Sequence, residues 1–126
     1  MQNEQYHILV IDDNADILFM IKAMLEMKGY KITAKDSPEN IEIFIETIKP
    51  DLILMDMLLS GADGREVCKN FKINKQISHV PVIMISALPD AAASCIESGA
   101  DYFLGKPFEM KDLFQTVSSA LSAVNT

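Results

Sequence analysis

The chain has 126 residues, of which 49% are apolar and 23% charged. These are the proportions of one globular domain able to bury its own core, and they exclude a disordered tail, a collagen-like chain and a coiled coil. Eleven basic residues against eighteen acidic ones leave a net charge of −7. A surface of that sign repels nucleic acid and anionic membrane, so neither is expected as a direct partner.

Ile8–Ile11 is apolar on successive positions, as in a strand buried on both faces of a parallel sheet. Ile17, Leu18, Ile21, Met24 and Leu25 follow at helical spacing, with Gly29 as a stop signal. Lys31–Lys35 alternates polar with apolar residues and predicts an edge strand. Ser37-Pro38, a cap residue before a first-turn proline, predicts the start of a second helix. Its apolar face is Ile41, Phe44, Ile45 and Ile48, and Pro50 follows its end. Leu52–Met55 is a second buried run. Asp63-Gly64 precedes a third helix marked by Val67, Cys68 and Phe71. Val80–Ile85 is a third run, interrupted at Pro81, and Ala91–Ser98 predicts a short fourth helix ended by Gly99. Tyr102–Leu104 reads as the last strand, and Met110, Leu113, Phe114, Val117 and Leu121 line the last helix. Strand and helix alternate five times, which predicts an α/β sandwich around a parallel sheet, with residues 1–126 forming one domain.

Cys68 and Cys95 stand far apart and form no metal-ligand or redox pair motif, so both are expected as reduced thiols in a cytoplasmic protein. The start, Met1 to Tyr6, lacks the plan of a signal peptide, and no apolar run approaches the ~20 residues of a membrane-spanning helix.

In a parallel sheet of this kind the working crevice lies beyond the carboxyl ends of the strands. Asp12 and Asp13 follow the first run, Asp56 the second, Ser86 the third, and Gly105 and Lys106 the last. Three acids, a hydroxyl and an ammonium are thereby expected on one edge. His7 and His79 fall at strand starts, on the opposite edge, which argues against a histidine-based site. Clustered carboxylates repel one another, and a hard divalent cation such as magnesium resolves the conflict while reserving positions for phosphate oxygens. A carboxylate can itself attack phosphorus. Lys106, Ser86 and the backbone N–H groups after Asp56 and at Ala87 are candidate donors for the transferred oxygens. Taken singly each residue has a plainer reading, as a helix cap, a turn acid or a solvated lysine. Their conjunction at successive strand ends favours phosphoryl transfer to an aspartate.

The segments Ile8-Leu9-Val10-Ile11-Asp12-Asp13, Leu52-Ile53-Leu54-Met55-Asp56, Asp63-Gly64, Ser86-Ala87, and Gly99-Ala100-Asp101 through Lys106-Pro107-Phe108 carry a resemblance over nearly the whole chain. In this order and spacing the sequence resembles the receiver domain of two-component response regulators. The resemblance implies a flavodoxin-like, CheY-like fold: a three-layer sandwich of five parallel strands in the order 2-1-3-4-5 with five helices. It further implies that Asp56 is the phosphoacceptor, with Ser86 and Lys106 assisting and Ser86 and Phe103 acting as the switch pair. Asp13, Asp56 and the backbone carbonyl of Leu58 would be direct metal ligands and Asp12 would hold a metal-bound water, for Mg2+ with Mn2+ as a substitute, and the Lys106-Pro107 bond would be cis. The implied partners are a sensor histidine kinase or phosphotransfer protein and a fused or separate output domain, read through the surface of the last helices and strand. The chain would be a monomer or weak dimer and would promote only its own phosphorylation and dephosphorylation. The sequence departs from the common family pattern at Ser60, Ala62 and Phe103, where proline, Met or Leu, and Tyr are usual, and the stretch from Ser86 to Gly99 is slightly short.

Two readings stand as alternatives. A degenerate receiver would serve only for protein docking, although every site position is filled. An aspartate-nucleophile phosphatase of the haloacid dehalogenase kind would need a second acid two residues after the nucleophile, where this chain has Leu58. A nucleotide- or flavin-binding module is disfavoured by the acidic loop Asp12-Asp13-Asn14-Ala15-Asp16, which repels phosphate.

Overall fold

The computed structural model describes residues 5–124; most of the polar start and the last two residues lie outside the described residues. The elements are β1 (His7–Ile11), α1 (Ala15–Met27), β2 (Lys31–Lys35), α2 (Ile41–Ile48), β3 (Leu52–Asp56), β4 (Leu58–Leu59), β5 (Ala62–Asp63), α3 (Gly64–Ile73), β6 (Val82–Ser86), α4 (Ala91–Glu97), β7 (Tyr102–Gly105) and α5 (Met110–Val124). Five strands form one parallel sheet in the order β2-β1-β3-β6-β7. This is the expected arrangement, with β2 at an edge. Among the described residues no helix is long and apolar enough to cross a membrane.

The successive apolar residues of β1, β3 and β6 point alternately to two cores, which is why those strands lack a polar face. Leu9, Ile11, Ile53, Met55, Val82 and Met84 pack with Ile41 and Ile45 of α2, Cys68 and Phe71 of α3, and Ala91 and Cys95 of α4. Ile8, Val10, Leu52, Leu54, Ile83 and Ile85 pack with Ile21 and Leu25 of α1 and with Leu113, Val117, Ala120 and Leu121 of α5. Burying side chains of this size contributes roughly 1.5–3 kcal/mol each. The sheet is therefore a stiff base for whatever its strand ends carry.

The second helix starts later than Ser37-Pro38. Asn40 adopts a left-handed conformation (φ 54°), and Pro38 instead accepts the N–H of Ile41 in a turn, so helical geometry begins at Ile41. β6 likewise starts at Val82, because the Val80 N–H closes a turn onto Ile77 and Pro81 has no N–H to give the ladder. A short antiparallel ribbon, absent from the sequence reading, joins β4 to β5 through Ser60-Gly61, with Gly61 at φ 77° as such a tight turn requires. It orders the loop beside Asp56, where Ser60 and Ala62 replace the usual proline and larger apolar residue.

Candidate functional site

Asp12 and Asp13 follow β1, Asp56 ends β3, Ser86 ends β6, and Lys106 follows β7. Because the strands run parallel and in register, all of these termini open on one edge. Asn14 caps α1, its side chain accepting the N–H groups of Asp16 and Ile17, and its own N–H donates to Asp12 Oδ1 at 2.9 Å. One Asp12 oxygen is thus aimed by the helix start.

Asp12 is 2% exposed, Asp56 8% and Ser86 3%, whereas Asp13 is exposed. Oxygens of Asp12, Asp13 and Asp56 all lie within 4.8 Å of one another. Lys106 Nζ sits 2.9 Å from Asp56 Oδ1 and 3.8 Å from Asp12 Oδ2. The first distance is a charge-assisted hydrogen bond, and the second is too long to be one. Asp12 Oδ2 is accordingly buried with no hydrogen-bond partner. Burial raises the Asp12 carboxyl above its ordinary pKa, the Asn14 N–H opposes the shift, and the neighbouring Asp56 charge adds to it.

An unpartnered buried carboxylate oxygen within reach of two further acids is what a hard cation with oxygen ligands requires. The donor set of this cluster therefore fits a divalent metal ion. Leu58, expected to offer a backbone carbonyl, begins the ribbon two residues past Asp56.

Ser86 Oγ accepts the Leu88 N–H at 3.0 Å, and the Ser86 carbonyl accepts the Lys106 N–H at 2.8 Å, which joins the hydroxyl and the lysine through backbone. The Lys106-Pro107 bond is cis. Phe103, half-buried in β7, packs against the core shared with α2, α3 and α4. Of the N–H groups after Asp56, that of Met57 is not free for a ligand: it donates to the Ile85 carbonyl at 2.8 Å.

The Asp63-Gly64 pair has a steric reason that spacing alone does not disclose. A Cβ on Gly64 would lie 2.7 Å from the Asp56 carbonyl oxygen and 3.0 Å from Met57 Cα, so the start of α3 approaches the end of β3 as only glycine allows. Arg65 was missed altogether. Its guanidinium holds both oxygens of Asp63, and Nη1 reaches Ser94 Oγ of α4 at 3.1 Å. Arg65 keeps the Asp63 carboxyl below the usual carboxylate range. His7 and His79 lie at the other edge, as expected, with His7 Nε2 2.6 Å from Thr33 Oγ1.

A buried acid at the end of a central parallel strand, a lysine against it and an acidic pair alongside define a phosphoacceptor type of α/β signalling module. Residues 8–118 match the response regulator receiver domain, and the chain belongs to that family. It is similar to the phosphate regulon transcriptional regulatory protein PhoB of Pseudomonas aeruginosa, with 34% identity over 116 residues, 90% of this chain and 51% of that protein. It is also similar to the DNA-binding dual master transcriptional regulator RpaA of a Synechocystis strain, with 32% identity over 117 residues, 90% of this chain and 48% of that protein. The chain thus spans about half the length of these curated relatives. Among solved structures, a two-component response regulator from Clostridium difficile superposes with a TM-score of 0.87 at 28% identity, over 97% of this chain and 100% of that one. The signal receiver domain of a signal transduction histidine kinase from Syntrophus aciditrophicus gives 0.87 at 30% identity, over 94% and 92%. The module acts as a phosphoacceptor in two-component signalling.

Proposed function

We propose that residues 1–126 are a single receiver domain in which Asp56 takes a phosphoryl group from a phosphohistidine on a sensor histidine kinase or phosphotransfer protein. The observation that carries this reading is the 2.9 Å pair of Lys106 Nζ with Asp56 Oδ1, beside the buried Asp12 oxygen that has no partner. A carboxylate oxygen of Asp56 attacks phosphorus as the donor's P–N bond breaks, and the electron pair of that bond stays on the imidazole nitrogen. The product is an aspartyl phosphate. Lys106 turns its ammonium from the free carboxylate to a phosphoryl oxygen, and the Ser86 hydroxyl donates to another. Asp12, Asp13, Asp56 and the Leu58 carbonyl would hold Mg2+, or Mn2+ in its place. Such an ion, when bound, offsets the charge of the acids and of the transferred group.

Inward movement of Ser86 leaves room for the Phe103 ring, which biases the surface of α4, β7 and α5 between two states. An output domain, fused or separate, reads that surface. The chemistry is confined to the chain's own phosphorylation and dephosphorylation, in the cytoplasm, by a monomer or weak dimer.

Incubation with acetyl phosphate and magnesium, followed by intact-mass spectrometry, tests the reading. One added phosphoryl mass is expected, and Asp56→Asn removes it. No addition, or addition at another residue, overturns the assignment. Ser86→Ala is expected to accept the group yet lose the amide-shift changes in β7 and α4.

A further inference from the structure

The acceptor loop and α4 are joined by a polar chain that the phosphorylation chemistry above does not use. Gly64 N–H donates to the Met57 carbonyl at 2.6 Å, fixing the start of α3 beside Asp56. Asp63, paired with Leu58 across the ribbon, caps α3 by accepting the Arg65 N–H at 2.9 Å. The same carboxylate takes Arg65 Nε at 2.9 Å and Nη2 at 2.6 Å. That leaves Nη1 of a rigid planar fork directed at α4, where it donates to Ser94 Oγ at 3.1 Å. The Ser94 hydroxyl donates in turn to the Ala91 carbonyl at 3.1 Å, so its oxygen is oriented to accept from the arginine.

The helix at the far end has little else to hold it. α4 is seven residues long, below the length at which a helix is stable in isolation. Its cap residue Asp90 makes no side-chain cap bond, its first turn carries no acid, and it buries only Ala91 and Cys95. The Arg65–Asp63 pair is about one-third exposed, so as a charge pair it adds little stability. Its geometry is what matters: one side chain spans from the acceptor loop to the helix.

We propose that Arg65 is a positioning residue that ties α4 to the acceptor loop, and that phosphorylation of Asp56 reaches α4 partly through it. The second half rests on the reading of Asp56 as the acceptor. This path uses neither Ser86 nor Phe103.

The experiment uses the full chain and three variants, Arg65→Ala, Arg65→Lys and Ser94→Ala. In unphosphorylated protein, amide exchange of α4 should quicken roughly threefold or more in each, with α5 unchanged. Arg65→Lys keeps the charge and loses the fork, so it should resemble Arg65→Ala. On treatment with acetyl phosphate and magnesium, all three should gain the phosphoryl mass within about twofold of wild type. Their α4 amide-shift displacement should fall to half or less while that of Phe103 persists. Wild-type exchange in α4 of both Arg65→Ala and Ser94→Ala overturns the tie. Full-sized α4 displacement on phosphorylation overturns its role in signalling. Ser94→Ala places a good helix former in a helix and guards against a folding failure of the arginine variants. If wild type takes up no phosphoryl group, the acceptor reading fails, together with the signalling half of the proposal, while the exchange measurements still decide the tie.

Discussion

Replacing Asp12 with asparagine should stabilise the metal-free protein, although it removes a residue of the proposed centre. At an effective dielectric of about 20, a unit charge on Asp56, within 4.8 Å of Asp12, repels it by about 3.5 kcal/mol or more, and Lys106 at 3.8 Å attracts it by about 4.4 kcal/mol. These nearly offset each other. What remains is the cost of a buried charged oxygen without a hydrogen bond, about 1–3 kcal/mol. Asparagine keeps an acceptor for the Asn14 N–H and drops the charge, at the smaller cost of a buried amide. The expected gain is about 1–2 kcal/mol at pH 7, or a Tm rise of roughly 3–8 °C for a domain of this size. Urea and thermal unfolding followed by circular dichroism in chelator would measure it, and the chain has no tryptophan to offer instead. Saturating magnesium should reverse the order. A ligand at 100 times its Kd adds about 2.7 kcal/mol to wild type, and the variant, lacking a ligand, should gain less. An Asp12→Asn protein less stable than wild type in chelator would refute this account of the acidic cluster.

Three further outcomes follow from features outside the carboxylates. Burial first, and then the charge of Lys31, lowers the His7 pKa below its ordinary value, so the unfolded chain takes up that proton at higher pH than the folded one. Stability should therefore fall as pH drops through 6.5 and below, and His7→Gln should flatten that slope in urea titrations; an unchanged slope excludes the imidazole as its source. Gly64→Ala should cost about 1–3 kcal/mol and slow phosphorylation of Asp56, because the new Cβ meets backbone at 2.7 Å; a variant with wild-type unfolding and labelling would contradict the close approach. Lys49, left-handed at the end of α2 (φ 51°), should accept glycine with a gain of about 0.5 kcal/mol, the relief of left-handed strain less the added chain entropy; a loss in urea midpoint would count against it.

The acidic edge was legible because burial on both faces forces long apolar runs, and each run ends where polar residues resume. Leu52–Met55 followed by Asp56 illustrates this: the strand cannot be half-exposed, so the first acid after it must stand at the sheet's rim. Lys106 and Ser86 were placed by the same logic. The start of α2 was not legible, because Ser37-Pro38 satisfies local capping preferences while the left-handed Asn40 decides where helical geometry begins. The ribbon from Leu58 to Asp63 is two residues per strand, too short for any period to show. Arg65 reads as a solvated residue at the start of a helix, and only the fold brings Ser94 within its reach, twenty-nine positions along the chain. Side-chain ties between distant segments leave no local pattern, so these are the details that periodicity misses.

At the edge of the sheet opposite the acids, one cation draws three elements together. Lys72 Nζ donates to the Val80 carbonyl at 2.9 Å and to Asp101 Oδ2 at 2.9 Å, and that same oxygen takes the Val82 N–H at 2.8 Å. One ammonium thus rivets the ends of α3, β6 and β7 into a floor. With the base clamped in this way, rearrangement near Ser86 and Phe103 should swing α4 about a fulcrum close to Asp101 rather than slide it.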